Sequence, residues 1–281
     1  MWNQVKTVLL LGLLAGIALA IGYVFGGTTG LTIAFVLALG INVLAYFFSD
    51  KIVLMMYRAR EATRHDYPAL HRIVDELARS AGIPKPQVYI IPTETPNAFA
   101  TGRNPKHAVV AATEGILNLL SEEELRGVLA HELGHVKNRD ILITTIAATI
   151  ATVISYAASM ARYATLFGGN RENRGAGNIL ALLFLTILTP IAAMLIQLAI
   201  SRTREYQADA TGAHLSKKPE ALARALEKIS SAVRARPMRF GSPATSSLFI
   251  VNPFTRDFFV SLLSTHPPTE ERVRRLKEMK V

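Results

Sequence analysis

Charged residues are absent from two long apolar stretches near the start of the chain. Thr7 to Phe25 and Gly30 to Phe48 contain none, and the short run Gly26-Gly27-Thr28-Thr29 separates them. A helix rises about 1.5 Å per residue, so about 20 apolar residues cross the roughly 30 Å hydrocarbon core of a membrane. The pattern therefore predicts a transmembrane hairpin. A cleaved secretory signal is the alternative for the first stretch, but this stretch is too long and a second one follows at once.

Two further uncharged stretches lie later in the chain, at Ile141 to Ala161 and Asn178 to Ile200. Each is also long enough to cross the membrane. The hydrophobic pattern therefore predicts an integral membrane protein that is mainly α-helical, with up to four transmembrane helices.

The polar segments predict a small sheet between two helices. Glu61 to Ser80 has the apolar spacing of an amphipathic helix. Gln87 to Ile91 and His107 to Ala112 have the pattern of short strands, and the segment from Thr93 to Gly102 between them is a possible edge strand. The segment before the third apolar stretch is therefore expected to be an α+β unit.

Ser121 and Glu124 form a predicted capping box, in which each side chain accepts a backbone N–H of the other residue at a helix start. A helix over Glu122 to Asn138 should follow. The pattern after the fourth apolar stretch predicts four more elements: a helix over Arg202 to His214, a helix over Pro219 to Val233, a loop or flexible flap over Arg234 to Asn252, and a charged helix at the end of the chain.

The charge of the chain refines the membrane prediction. The formal net charge is +10, and a basic cluster follows the second apolar stretch: Lys51, Arg58, Arg60 and Arg64. Basic residues favour the cytoplasmic side, so the start of the chain and the region after Asp50 are predicted to be cytoplasmic and close to anionic lipid headgroups. The basic residues match no nucleic-acid-binding motif. The chain has no cysteine, which excludes disulfides and thiolate ligands and is compatible with a reducing compartment.

The sequence HELGH at residues 131–135 carries candidate chemistry. On a helix, His131 and His135 lie one turn apart on the same face, where both can bind one zinc ion at about 2.0–2.1 Å. Glu132 lies between them and can reach an attacking water without binding the metal. This is the HExxH arrangement of zinc peptidases. The alternative is a pair of surface histidines beside an ordinary glutamate.

A catalytic zinc site needs a third protein ligand and one open position. The downstream candidates are Glu205, Asp209 and His214. Glu205 is the best of them, because it shares a helix face with Asp209, and the small residues Ala208 and Gly212 would let this helix approach the first closely. Asp209 would then orient a ligand histidine through its other ring nitrogen. The alternative is a solvated charged face after a membrane span.

Taken together, these motifs resemble the M48 family of membrane zinc metallopeptidases, most closely its HtpX-type bacterial heat-shock proteases. The resemblance covers almost the whole chain and includes NAFATG at 97–102, HELGHVKNRD at 131–140, SRTREYQADA at 201–210 and THPP at 265–268. It implies one zinc per chain and a zincin-like domain at the cytoplasmic face of a bacterial inner membrane. It also implies a role in stress response, through endoproteolysis of misfolded or damaged membrane proteins.

The predicted domains follow from this resemblance. They are an N-terminal transmembrane hairpin at 1–50, the first part of the catalytic domain at 51–140, a second hydrophobic hairpin at 141–200 and the second part of the catalytic domain at 201–281. His135 and Glu205 must meet at one ion, so the segment between them must cross the membrane an even number of times. The alternative is a hairpin that only enters the membrane or packs as a buried pair.

Further site residues are predicted with their alternatives. Glu132 is the expected general base, and Asp140 is too close along its helix to bind the ion but is expected to support a ligand. His266 is the candidate donor to the developing oxyanion, although a histidine before prolines can instead be a packing residue. A substrate strand is expected to pair with Asn97, Ala98, Phe99 and Ala100, which could otherwise be an ordinary strand edge.

Two other functions compete with proteolysis. A membrane scaffold or chaperone would need a structural zinc whose fourth position is closed, for instance by His214. A proton-coupled transporter would need ionisable groups inside the membrane, and the four apolar stretches contain none. Among enzymes, the eukaryotic prenyl-protein proteases of the same family are the alternative, but they have more spans than this chain supplies.

Overall fold

The computed structural model of the chain describes residues 2–151, 202–254 and 267–281. The first helix, α1 (Trp2–Met56), is interrupted at Gly27, whose φ of 55° and ψ of −141° are not helical. Glycine adopts a positive φ at little cost. The side-chain amide of Asn42 donates to the carbonyl of Leu11 at 3.5 Å. The two halves of α1 therefore lie side by side, with the interruption inside the predicted turn.

The surface of α1 is apolar and exposed. Among the described residues, every exposed large apolar side chain except Val281 lies on this helix, and Val36 is 62% exposed. Its second half, Gly26–Met56, contains an 18-residue window with a mean hydropathy of 2.2 and is long enough to cross a membrane. Such a surface is suited to lipid. Of the other predicted spans, Ile141–Ala151 forms an apolar helix, α5, and the rest of that stretch, with Asn178 to Ile200, lies outside the described residues.

A small mixed sheet follows α1. Its strands are β1 (Arg60–Glu61), β2 (Gln87–Ile91), β3 (Ala98–Gly102) and β4 (Ala108–Thr113). Their order is β1-β2-β4-β3, in which β2 and β4 are parallel and the two outer pairs are antiparallel. The strands predicted at Gln87 to Ile91 and His107 to Ala112 are confirmed to within one residue. The predicted edge strand lies at the sheet edge as expected, but it begins at Ala98 and not at Thr93.

The predicted helix over Glu61 to Ser80 begins later than expected. Arg60–Glu61 forms β1, and the helix α2 begins at Pro68 and ends at Ala81. A proline restricts the residue before it to non-helical backbone but is tolerated at the first position of a helix. The predicted start of this helix was therefore wrong, whereas its apolar face is buried as predicted.

The remaining helices are α3 (Glu114–Leu119), α4 (Glu122–Lys137), α6 (Arg202–Ser216), α7 (Pro219–Ala235) and α8 (Thr269–Glu278). Helix α4 is central and packs against α2, α6, α7 and β3. Its predicted capping box is present, because Glu124 accepts the Ser121 N–H at 2.9 Å and Ser121 accepts the Glu124 N–H at 3.4 Å. The molecule is therefore mainly helical, with α4 in its core.

Two glycines let α4 and α6 approach closely. A Cβ atom at Gly212 would lie 2.8 Å from the backbone nitrogen of His131, and one at Gly134 would lie 3.2 Å from the carbonyl oxygen of Ala208. Any side chain at position 212 would push the two helices apart. The small residues of α6 therefore have the packing role expected from the sequence.

The predicted loop over Arg234 to Asn252 is folded against the sheet. It contains a short 3-10 helix, Pro243–Leu248. Beyond this helix, Phe249 pairs with Phe99 in antiparallel fashion, and the Ile250 N–H donates to the Ala98 carbonyl at 3.1 Å. We call residues 242–254 the cover segment, because they lie along the outer edge of β3.

Candidate metal centre

Three side chains predicted as metal ligands meet between α4 and α6. The Nε2 atoms of His131 and His135 are 3.1 Å apart. A carboxylate oxygen of Glu205 lies 3.6 Å from the His135 Nε2, and its other oxygen lies 3.9 Å from the His131 Nε2. One donor atom from each of the three residues can be chosen so that all three atoms lie within 4.8 Å of one another.

The environment of the two histidines fits a divalent ion. The Nδ1 of His131 lies 2.9 Å from Asp209, and that of His135 lies 3.1 Å from Asp140. A carboxylate accepts the Nδ1–H and leaves the Nε2 lone pair for a metal. Tetrahedral zinc with Zn–N distances of 2.0–2.1 Å separates two nitrogens by about 3.3 Å, close to the 3.1 Å found. The donor set therefore suits zinc.

The other candidate ligand lies elsewhere. His214, at the far end of α6, is exposed and is not part of the group formed by His131, His135 and Glu205. Within the described ranges, no fourth protein ligand closes the site. This arrangement disfavours a purely structural zinc, since structural sites have four protein ligands.

Glu132 lies at the same centre with the properties of a proton carrier. It is 1% exposed, and its Oε1 has no hydrogen-bond partner among the residues described. Burial, reinforced by Glu205 and opposed by His135, raises the pKa of the Glu132 carboxyl to about 8. A carboxyl with a pKa near neutrality can both accept and return a proton.

Arg272, in α8, is a part of this centre that the sequence analysis missed. It is 2% exposed and binds Asp209 through two hydrogen bonds, from Nε at 2.9 Å and from Nη2 at 2.7 Å. Burial favours the neutral acid, but Arg272 and His131 outweigh it and lower the pKa of Asp209 to about 2. The sequence does carry a signal for Arg272. This residue lies one turn before Leu276, on the buried stripe of an otherwise charged helix.

We expect Arg272→Lys to weaken metal binding about 10- to 100-fold, the usual cost of disturbing a residue that supports a ligand. Lysine keeps the charge but cannot form the two parallel hydrogen bonds that fix Asp209 against His131. Chelator competition measures the change. The matched control is Arg274→Lys on the same helix, because Arg274 is exposed. Equal zinc affinity in both variants would remove Arg272 from the support of the site.

The predicted substrate strand borders the centre, but its outer edge is covered. Ala100 and Glu132 line one cleft together with the three ligand residues. Asn97 is fully buried, and its side-chain amide donates to the Val251 carbonyl at 2.6 Å. The cover segment thus occupies the hydrogen-bonding edge that a substrate would need. His266, the predicted oxyanion donor, lies outside the described residues.

The cleft at the metal centre is narrow. Residues 247–250 of the cover segment form part of its wall, and its free volume is ≈ 20 Å³. A single water molecule needs a cavity of at least about 10–15 Å³. The cleft therefore has room for about one water and not for a peptide strand.

Comparison with known proteins agrees with this site. Residues 64–280 match peptidase family M48. The chain is 58% identical to the protease HtpX homolog of Persephonella marina, covering 99% of this chain and 97% of that protein. It is 57% identical to the homolog of Pyrococcus furiosus, covering 98% and 95%, respectively.

A solved structure shares the fold. The crystal structure of Ste24p from S. mikatae aligns with a TM-score of 0.54 at 20% sequence identity. The alignment covers 98% of this chain and 65% of that one. The family match spans most of the chain and includes all three candidate ligands. The chain therefore belongs to peptidase family M48 and is a membrane-bound zinc metalloprotease.

Proposed function

We propose that this protein is an endopeptidase that cleaves misfolded or damaged membrane proteins at the cytoplasmic face of a bacterial inner membrane, as part of the stress response. The observation that carries the proposal is the meeting of His131, His135 and Glu205 beside the buried carboxyl of Glu132. This centre directly precedes α5 along the chain, so the reactive groups belong near the membrane surface. The basic cluster that begins near the end of α1 supports a cytoplasmic position.

In the proposed mechanism, His131, His135 and Glu205 hold the zinc. When bound, zinc would polarise a peptide carbonyl and make the attacking water easier to deprotonate. Glu132 accepts the proton of the attacking water and then delivers it to the departing amine. His266 is proposed to donate a hydrogen bond to the developing oxyanion.

The residues around these groups keep them in place. Asp209 and Asp140 fix the ring orientation of the two histidines through their Nδ1 atoms. The backbone of Asn97 to Ala100 is proposed to align the substrate as an added strand. The domain limits predicted from the sequence, with a second hairpin at 141–200, bring His135 and Glu205 to the same side of the membrane.

The cover segment must move before a substrate can bind in this way. Phe99 and Phe249 are antiparallel partners, whose Cα atoms are typically about 4.5–5.5 Å apart, within the range for a disulfide. The chain has no cysteine of its own. We expect the double variant Phe99→Cys, Phe249→Cys to lose at least about 90% of its cleavage activity when oxidised, because the edge of β3 is then locked.

Reduction of the same sample provides the control for this double variant, since it restores mobility without altering the sequence. Single-turnover cleavage of an unfolded protein is measured before and after addition of a reductant. The two rates give the ratio of the activity of the oxidised protein to that of the reduced protein. A disulfide-bonded sample as active as the reduced one would show that the edge of β3 is not the substrate site.

Purified protein in detergent or nanodiscs tests the function itself. We expect one zinc per chain, cleavage of an unfolded protein such as casein at internal bonds, loss of cleavage with a chelator and recovery with added zinc. Cleavage that persists after complete removal of the metal would contradict the proposed mechanism.

A further inference from the structure

A large cavity lies away from the metal centre, where α1 and α5 meet the part of the protein that holds the sheet. It encloses ≈ 810 Å³, within the roughly 300–1,000 Å³ typical of ligand pockets. Its walls come from both halves of α1, the turn after α2, the turn between β3 and β4, and the junction of α4 with α5. None of its lining residues also lines the cleft at the zinc ligands. It is therefore a separate cavity.

Four basic side chains and no carboxylate line this cavity. The basic residues are Arg103, Lys106, Lys137 and Arg139. None of the four forms an ion pair with a carboxylate in the part of the chain that the structure describes. Elsewhere on the domain such pairs are common, for example Arg72 with Glu122 at 2.8 Å and Arg126 with Glu76 at 2.6 Å. The concentration of unpaired positive charge makes the cavity suited to an anion.

The other wall of the cavity is apolar and belongs to the helices α1 and α5. Leu11 and Tyr46 contribute from the two halves of α1, and Leu142 contributes from α5. The guanidinium group of Arg103 lies 5.3 Å from the ring centroid of Phe47, also on α1. An arginine over an aromatic ring is a favourable contact. Tyrosine is enriched at the boundary between hydrocarbon and water. A membrane boundary at this level would place the charged wall among the headgroups, directly beside apolar surface.

We propose that this basic cavity binds the phosphate-bearing headgroup of an anionic phospholipid, whose acyl chains lie along the apolar wall. Guanidinium and ammonium groups are the donors that proteins use for phosphate oxygens. Basic pockets between membrane helices bind such headgroups in other proteins. A soluble anion would use the charged wall alone and would leave the adjoining apolar wall without a function. The inference rests on the membrane location of the protein and not on the peptide bond it cleaves.

The test measures lipid binding to the full-length zinc protein carrying Glu132→Gln, so that self-cleavage plays no part. Phosphatidylglycerol and phosphatidylcholine are titrated separately in detergent, and native mass spectrometry counts the lipids retained per chain. The cavity variant is Lys106→Gln, Arg139→Gln. The matched control is Lys51→Gln, Arg58→Gln, which also removes one lysine and one arginine but near the end of α1. Arg58 and Arg139 also share a positive φ, 52° and 57°.

We expect the parent and the control to retain one phosphatidylglycerol and no phosphatidylcholine per chain. The cavity variant should bind phosphatidylglycerol about 10- to 30-fold more weakly, the effect of two basic residues near an anionic headgroup. Equal weakening in the cavity variant and the control would overturn the proposal, since the attraction would then be general. Equal retention in all three proteins would also overturn it.

A third arm separates the lipid from a free anion. Inorganic phosphate and glycerol phosphate at millimolar concentration should displace little phosphatidylglycerol, because they lack the acyl chains that contact the apolar wall. Full displacement by either compound, or tight binding of phosphate in the absence of lipid, would identify the site as one for a soluble phosphate. That result would overturn the assignment to a phospholipid.

Discussion

Glu132→Gln is expected to lower kcat/KM for an unfolded protein substrate by about 10²- to 10⁴-fold, the usual contribution of general acid–base catalysis. Glutamine has nearly the same shape but cannot accept and return a proton. Because Glu132 is not among the three grouped ligands, the variant should keep one zinc per chain. The measurement combines steady-state cleavage with metal analysis of the same preparation.

The control for this substitution is Glu123→Gln, which lies on the same helix but is exposed and forms an ion pair with Lys218. It should retain wild-type activity, since surface ion pairs contribute little. If Glu132→Gln cleaved within a few-fold of the wild type, the raised pKa of this buried carboxyl would have no part in the reaction. Loss of zinc from the variant would instead assign Glu132 to metal binding.

Glu205→Ala is expected to lose both zinc and activity. The carboxylate supplies the only negative charge among the three grouped ligands, and its removal leaves two neutral imidazoles. Supporting residues alone change metal affinity 10- to 100-fold, so loss of a direct ligand should weaken zinc binding by more than about 100-fold. Competition with a chelator of known affinity measures this change.

The variants of Glu132 and Glu205 distinguish proton transfer from metal binding. Glu132→Gln should be inactive with zinc, and Glu205→Ala should be inactive without it. Glu220→Ala is a suitable control, because Glu220 is an exposed acid in the first turn of the neighbouring helix α7. Wild-type zinc affinity in Glu205→Ala would show that another residue completes the site.

The parts of the site that the sequence predicted are those set by local spacing. Two histidines four residues apart share a helix face wherever the helix packs, and the capping box fixes where that helix begins. Glu205 could be predicted as the third ligand although it lies far from the two histidines in the sequence. It shares its helix with Asp209 and with the small residue Gly212, which marks a close approach between helices. Each of these features is contained within one or two turns.

The features that the sequence analysis missed depend on contacts between distant segments. The periodicity of α8 shows that the position of Arg272 is buried, but not that Asp209 is its partner. Likewise, the glycine, proline and serine residues of the cover segment predict a loop, and nothing local indicates that Phe249 pairs with Phe99. The late start of α2 is a smaller error, caused by giving the apolar spacing more weight than Pro68.

We expect His131, His135 and Glu205 to bind one zinc ion next to Glu132. Anomalous diffraction at the zinc absorption edge, from crystals of the zinc-loaded Glu132→Gln protein, locates the metal directly. One peak per chain is expected, about 2.0–2.2 Å from both Nε2 atoms and from the Glu205 carboxylate. A peak bound to the histidines but not to Glu205, or a peak at another site, would contradict it.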